Sequence, residues 1–121
     1  MGGRGAASGF VSSVPNADRA IIADGKLMKY LLNPEKAHYP EFIAVGYSRD
    51  DPERLRQDLL AGLRKNPAKV YGANGYGVVS FEVDMMLGVT REKKFRTAWQ
   101  VDAGTDFPRF VTAHRIGGNR K

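Results

Sequence analysis

At 121 residues the chain fits one domain with a modest core, and 42% hydrophobic with 26% charged residues is the balance of an ordinary globular protein. No apolar run is long enough to cross a bilayer, there is no cysteine for disulfides or thiolate metal sites, and two histidines are too few for a histidine zinc cluster. The net charge of +6 calls for an anionic partner, whether RNA, DNA, an anionic membrane surface or an acidic protein.

Residues 1–9 (MGGRGAASG) carry no apolar pattern and read as a flexible linker or appended remnant, with order expected from about Phe10. A single domain then spans residues 10–116, and residues 117–121 read as a frayed tail. Asp24 is the expected cap of a short helix over 26–32 that Asn33-Pro34 stops, with Leu27, Tyr30 and Leu31 as its buried stripe. A second short helix is expected from Pro40 to just before Gly46. Asp51-Pro52-Glu53 is a stronger start signal, made of a cap, a first-turn proline and a first-turn acid. Leu55, Leu59, Leu60 and Leu63 continue it as one apolar stripe to about Lys65.

Beyond Asn66-Pro67 the period changes from 3.6 to 2. A short strand is expected over 69–71, followed by a glycine-rich turn and a strand over 76–87. Val79, Phe81, Val83, Met85 and Leu87 lie on one face of that strand, with Ser80, Glu82 and Asp84 on the other. Tyr71 and Tyr76 bracket the turn, and burial is their expected use, with stacking on an unpaired base the alternative. The glycine run at 72–77 lacks the Gly-Lys-Ser/Thr ending of a phosphate loop and precedes a strand, so nucleotide hydrolysis is not expected. Strands over 95–101 and 109–116 complete a hairpin. The fold class that follows is α+β: N-terminal helices packed on one face of a three- to four-stranded antiparallel sheet.

The hairpin carries the candidate chemistry. Phe95, Thr97, Trp99 and Val101 share one face, as do Val111 and Ala113, leaving Arg96, Gln100, Thr112 and His114 together on the other. Eight of the 19 Lys and Arg lie from Arg91 onward, against three acids. Metal-independent cleavage of RNA needs a base for the 2′-OH, a cation for the phosphorane and an acid for the leaving 5′ oxygen. An imidazole serves as acid or base near neutral pH, which points to His114. Arg96 or Arg109 can hold a phosphate through a forked guanidinium. Glu82 can act as base, and Thr112 can donate to a phosphate oxygen. A solvated outer sheet face accounts for the same residues. His38, between two prolines, reads as an exposed loop histidine or as a second catalytic candidate. Lys26, Lys93, Lys94 and Arg115 are the further cations available to RNA. No metal site and no cofactor is expected.

The segments PNADRAIIADGKLMKYLLNPEK and TAWQVDAGTDFPRFVTAH resemble a family of small domains of unknown function. That family sits at the C-termini of bacterial polymorphic toxins and phage MuF-type head-morphogenesis proteins. Such tips are often assigned to the barnase, EndoU, colicin and RelE-like ribonuclease superfamily. The resemblance implies a monomeric toxin domain that acts on RNA, with tRNA among the candidate substrates, in the cytoplasm of a target cell. It also implies delivery or secretion, no membrane partner and a dedicated, acidic immunity protein. Only Lys26, Arg109 and Thr112 carry over by position, and the family's frequent TAY ending is here Thr112-Ala113-His114. Two other classes remain open. One is a toxin of different chemistry, either DNA-directed or an ADP-ribosyltransferase using Glu82. The other is a non-enzymatic basic module that grips nucleic acid or an acidic protein.

Overall fold

The computed structural model describes residues 7–117. Its frame is an antiparallel meander of five strands in chain order: β1 Ala7–Val11, β2 Ala68–Tyr71, β3 Val79–Leu87, β4 Lys93–Val101 and β5 Arg109–Arg115. All the helices fall in the connection between β1 and β2. They are a 3-10 turn over Ala17–Arg19, α1 Asp24–Lys26, which runs on as a π-helical turn over Leu27–Leu31, then α2 Tyr39–Ala44 and α3 Pro52–Lys65. The α+β class is therefore as expected, but the sheet has five strands rather than three or four.

The additional strand is β1, and it corrects the linker reading of residues 7–9. Gly9, Phe10 and Val11 pair with Val70, Lys69 and Ala68, and an irregularity after Ala7 is taken up at Gly9, whose φ of 135° favours glycine. Glycine and serine look like linker in isolation. The pairing is decided by the unsatisfied outer edge of β2, some sixty positions away, which gives no local signal. Residues 1–6 of the expected linker and 118–121 of the expected tail lie outside the described residues.

The helices follow their local signals with two corrections. Asp51 caps α3 by accepting from the Arg54 backbone N–H at 3.3 Å, and Leu55, Leu59 and Leu63 are buried beneath it while Leu60 is partly so. The cap position before α1 is Ala23 and no side chain caps it. Asp24 instead receives Arg56 of α3, which also donates to the Ile22 carbonyl, so its charge is spent on a tertiary clamp. The chain then widens into a π turn closed by Leu32 N–H to Leu27 C=O at 2.7 Å. In that turn Leu27 and Leu31 are buried, whereas Tyr30 is only half-buried.

The core lies between the helices and one sheet face. Phe42 of α2 packs on Phe95 of β4 with ring centroids 4.9 Å apart, and Trp99 meets Phe110 edge-on at 5.2 Å. Gly62 lets α3 approach β3 closely, since a Cβ there would lie 2.4 Å from the Met85 sulfur. Thr97 is fully buried and links two polar groups: it donates to the Val83 carbonyl and accepts from the Trp99 indole N–H, both at 2.8 Å.

Two further differences matter for the site. Asn74 accepts from the backbone N–H groups of Tyr76 and Val78 and holds residues 74–78 in a turn, so β3 starts at Val79 rather than at 76. Tyr76 projects from that turn 86% exposed, contrary to its expected burial. A bulge opposite Ala98 and Trp99 pairs Trp99 with Phe110, so Phe110, rather than Val111, joins Ala113 in the core. Past the bulge, Thr112 pairs with Ala98 and His114 with Arg96, and both face outward.

Candidate active site

Strand β5 borders the sheet, and its outer edge is covered in two different ways. At its start Ile21 adds a bridge, donating to the Pro108 carbonyl at 3.0 Å and accepting from Phe110 N–H at 2.9 Å. Beyond that bridge the edge meets side chains from the helical layer. The Tyr30 hydroxyl hydrogen-bonds Thr112 Oγ1 at 2.7 Å, and Lys26 Nζ lies 5.2 Å from the Tyr30 ring centroid.

One turn further along, the two histidines of the chain meet. Asn33 folds the segment after the π turn, donating to the Lys29 carbonyl and accepting from Glu35 N–H. That carries His38 onto His114, with ring centroids 5.5 Å apart and planes 28° from parallel. His38 remains a loop histidine with its side chain 40% exposed, but its ring is partly covered by the stack on the half-buried His114. A loop residue sits in the site because the edge of β5 needs a cover.

Glu41 stands behind the pair. Its Oε2 is 3.0 Å from His38 Nδ1, and its Oε1 accepts from the Arg115 backbone N–H at 2.9 Å. An ionised carboxylate only accepts, so in the neutral ring His38 Nδ1 carries the proton and Nε2 keeps its lone pair. One side chain thus orients the imidazole and ties α2 to the end of β5. Arg115 and Glu41, with Ile116 and Gly117, also line a cavity of about 260 Å³.

The other candidate residues divide by how they are engaged. Arg96 forms a fork with both oxygens of Asp84 at 2.9 and 3.1 Å, and this hydrogen bonding raises its pKa further. Arg109 is held by Asp102 at 2.6 and 3.1 Å and by Gln100 at 2.9 Å. Hydrogen bonding to Arg109 draws the Asp102 carboxyl below its usual range. Neither arginine is thus an unpaired charge. Glu82 accepts from the Tyr71 hydroxyl at 3.0 Å and lies two strands from Thr112, roughly 9–10 Å away at sheet spacing. The structure therefore brings His114, Thr112, His38 and Lys26 to one edge and leaves Glu82 away from the imidazoles. Lys94 is exposed on the Arg96 face of β4, whereas Lys93 points to the opposite face, opposite Leu87. Among the ion pairs of the described residues, none involves Lys26, Lys94 or Arg115. Nor do three His, Cys, Asp or Glu side chains converge there as metal ligands would.

Residues 13–117 match the model of a family described as a domain of unknown function, DUF6883. The chain belongs to the DUF6883 family. No curated protein and no solved structure matches it.

Two members of the site in this DUF6883 domain were not singled out from sequence. Glu41 had a usable signal, because it lies three positions after His38 at a helix start where Pro40 fixes the first turn. Tyr30 was placed in an apolar stripe, although a tyrosine brings a hydroxyl that needs a partner when partly buried.

Proposed function

We propose that this DUF6883 domain is a metal-independent endoribonuclease, and that it serves as a toxin tip. The observation that carries the reading is the pairing of His38 with His114, with Glu41 behind one of them. Transesterification of RNA uses one imidazole to accept a proton and another to donate one. In this assignment His38 Nε2 takes the 2′-OH proton and the 2′ oxygen attacks phosphorus. Protonated His114 gives its proton to the departing 5′ oxygen, leaving a 2′,3′-cyclic phosphate. Lys26 and Arg115 supply positive charge to the phosphorane, and the Thr112–Tyr30 hydroxyl pair offers a donor to its oxygens. Arg96, Arg109 and Lys94 then act as wider electrostatic support, the arginines tempered by their carboxylates, while Lys93 on the opposite face takes no part.

The resemblance to toxin tips supports RNA inside a target cell as the substrate, and an acidic immunity protein as the partner. Such a protein would cover the β5 edge and associate faster at low ionic strength. A salt-independent association rate argues against it. The activity itself is tested by incubating the purified domain with single-stranded RNA and with tRNA in EDTA. Cleavage products ending in 2′,3′-cyclic phosphate are expected, lost in both His38→Ala and His114→Ala. Intact RNA with the wild-type protein contradicts the proposal.

A further inference from the structure

The outer sheet face continues away from the histidines to an aromatic residue on the opposite border. Phe10 on β1 is 74% exposed, although a large apolar ring on an edge strand is a liability unless it serves contact. Its strand partner is Lys69, whose ammonium lies 6.0 Å from the ring centroid. From Lys69 a single row of paired residues runs across the sheet: Glu82 on β3, Ala98 on β4 and Thr112 on β5. Phe10 and Thr112 thus stand at the two ends of one row. Four inter-strand steps separate them, roughly 19 Å.

The ground between them suits bases better than phosphates. A cavity of about 120 Å³ is lined by Phe10, Pro67, Lys69, Glu82, Asp84 and Arg96. Arg96 is forked to Asp84 and Tyr71 donates to Glu82, so with Lys69 the floor is near neutral and offers a phosphate no net positive charge. An open sheet with an exposed aromatic and a cation over its ring is a surface on which unpaired bases stack, whatever their identity. A paired duplex hides its base faces and cannot use it.

We infer that Phe10 is the stacking platform of a remote base subsite, and that the substrate is a single-stranded RNA segment lying across the outer sheet face from Phe10 to the histidine pair. The inference rests on the ribonuclease reading for its direction, but it concerns binding and can be measured without cleavage. At a stacked rise of 3.4 Å per nucleotide the row corresponds to about six nucleotides, and to fewer when the strand is extended. A dinucleotide at the histidines cannot reach Phe10.

The test uses Phe10→Trp and Phe10→Ala in the full chain, with single-stranded 2′-deoxy hexamers and dinucleotides, which lack the attacking hydroxyl and cannot be cleaved. The Phe10→Trp indole should be quenched on titration with the hexamer. Affinity for the hexamer should fall about 5- to 150-fold in Phe10→Ala, the range expected for one stacked base at 1–3 kcal/mol, and Phe10→Trp should retain it. A duplex of the same length should leave the indole unquenched. An unquenched indole with the single strand, or an Ala variant that binds the hexamer as tightly as wild type, overturns the inference even if RNA is cleaved. Quenching and length dependence with no RNA cleavage sustain the subsite and remove the ribonuclease reading instead.

Discussion

Replacing Glu41 separates orientation of His38 from mere attachment of α2. The carboxylate accepts one hydrogen bond from His38 and one from the Arg115 backbone, each worth a net 0.5–1.5 kcal/mol in a typical protein, so Glu41→Ala should cost about 1–3 kcal/mol. For a domain near 100 residues that is about 4 °C or more of melting temperature per kcal/mol, readily measured by circular dichroism. Glu41→Gln is the informative variant. Its amide oxygen still accepts from Arg115, and its NH2 can donate to His38 Nδ1, so stability should fall by less than about 1 kcal/mol. That second bond demands the other tautomer, with the proton on Nε2, the atom whose lone pair the proposed mechanism uses as base. Cleavage of a short RNA should therefore lose about 100-fold or more in kcat with KM little changed, the weight of one acid–base group. A Glu41→Gln protein that cleaves within about twofold of wild type refutes the orientation argument.

Thr97→Val leaves the buried Trp99 N–H without its acceptor and should cost about 1–3 kcal/mol in urea denaturation, with Thr97→Ser restoring most of it; a Val variant as stable as wild type contradicts this. Burial first, and the Asp58 hydrogen bond second, raise the Tyr47 phenol well above the ordinary tyrosine range. Its folded pKa is the higher one, so its contribution is complete below about pH 10 and is lost as pH rises further. An ultraviolet titration should show Tyr47 ionising only as the fold opens, whereas normal phenolate formation in the native state rules this out. The Asp102 carboxyl is shifted the other way by Arg109, so its contribution is present above about pH 4 and disappears as pH falls. With both side chains more than a third exposed, the loss should be under about 1 kcal/mol between pH 5.5 and 3 and absent in Asp102→Asn; identical acid limbs in the two proteins would falsify it.

What could be read along the chain was whatever is decided by near neighbours. Asp51-Pro52 starts α3 because a cap and a first-turn proline act within four residues, and the alternation of Phe95, Thr97 and Trp99 states directly which side of β4 is buried. What was not legible depends on distant pairing. Ala7–Val11 becomes a strand because β2 offers an edge, and Phe110 displaces Val111 from the core because a bulge forms against β4. Half the site follows the same division. His114 and Thr112 could be assigned to one face from strand periodicity, and Lys26 to the neighbouring helix. His38 could not be joined to them, since its place is set by a π turn and an asparagine-centred bend that bring it over the β5 edge. Arg96 and Arg109 looked available as phosphate clamps because the cross-strand and loop carboxylates that engage them are visible only once register is known.

The central claim is that His38 and His114 act as a base–acid pair, and the pH dependence of cleavage tests it most directly. Rates for a short single-stranded RNA in EDTA should describe a bell, because one imidazole must be neutral and the other protonated in the same molecule. His38→Ala and His114→Ala should each lower the maximum by about 100-fold or more. Each residual profile should keep only the limb of the histidine that remains. A wild-type profile that rises steadily through neutral pH, or a bell that survives in either alanine variant, would contradict the pair.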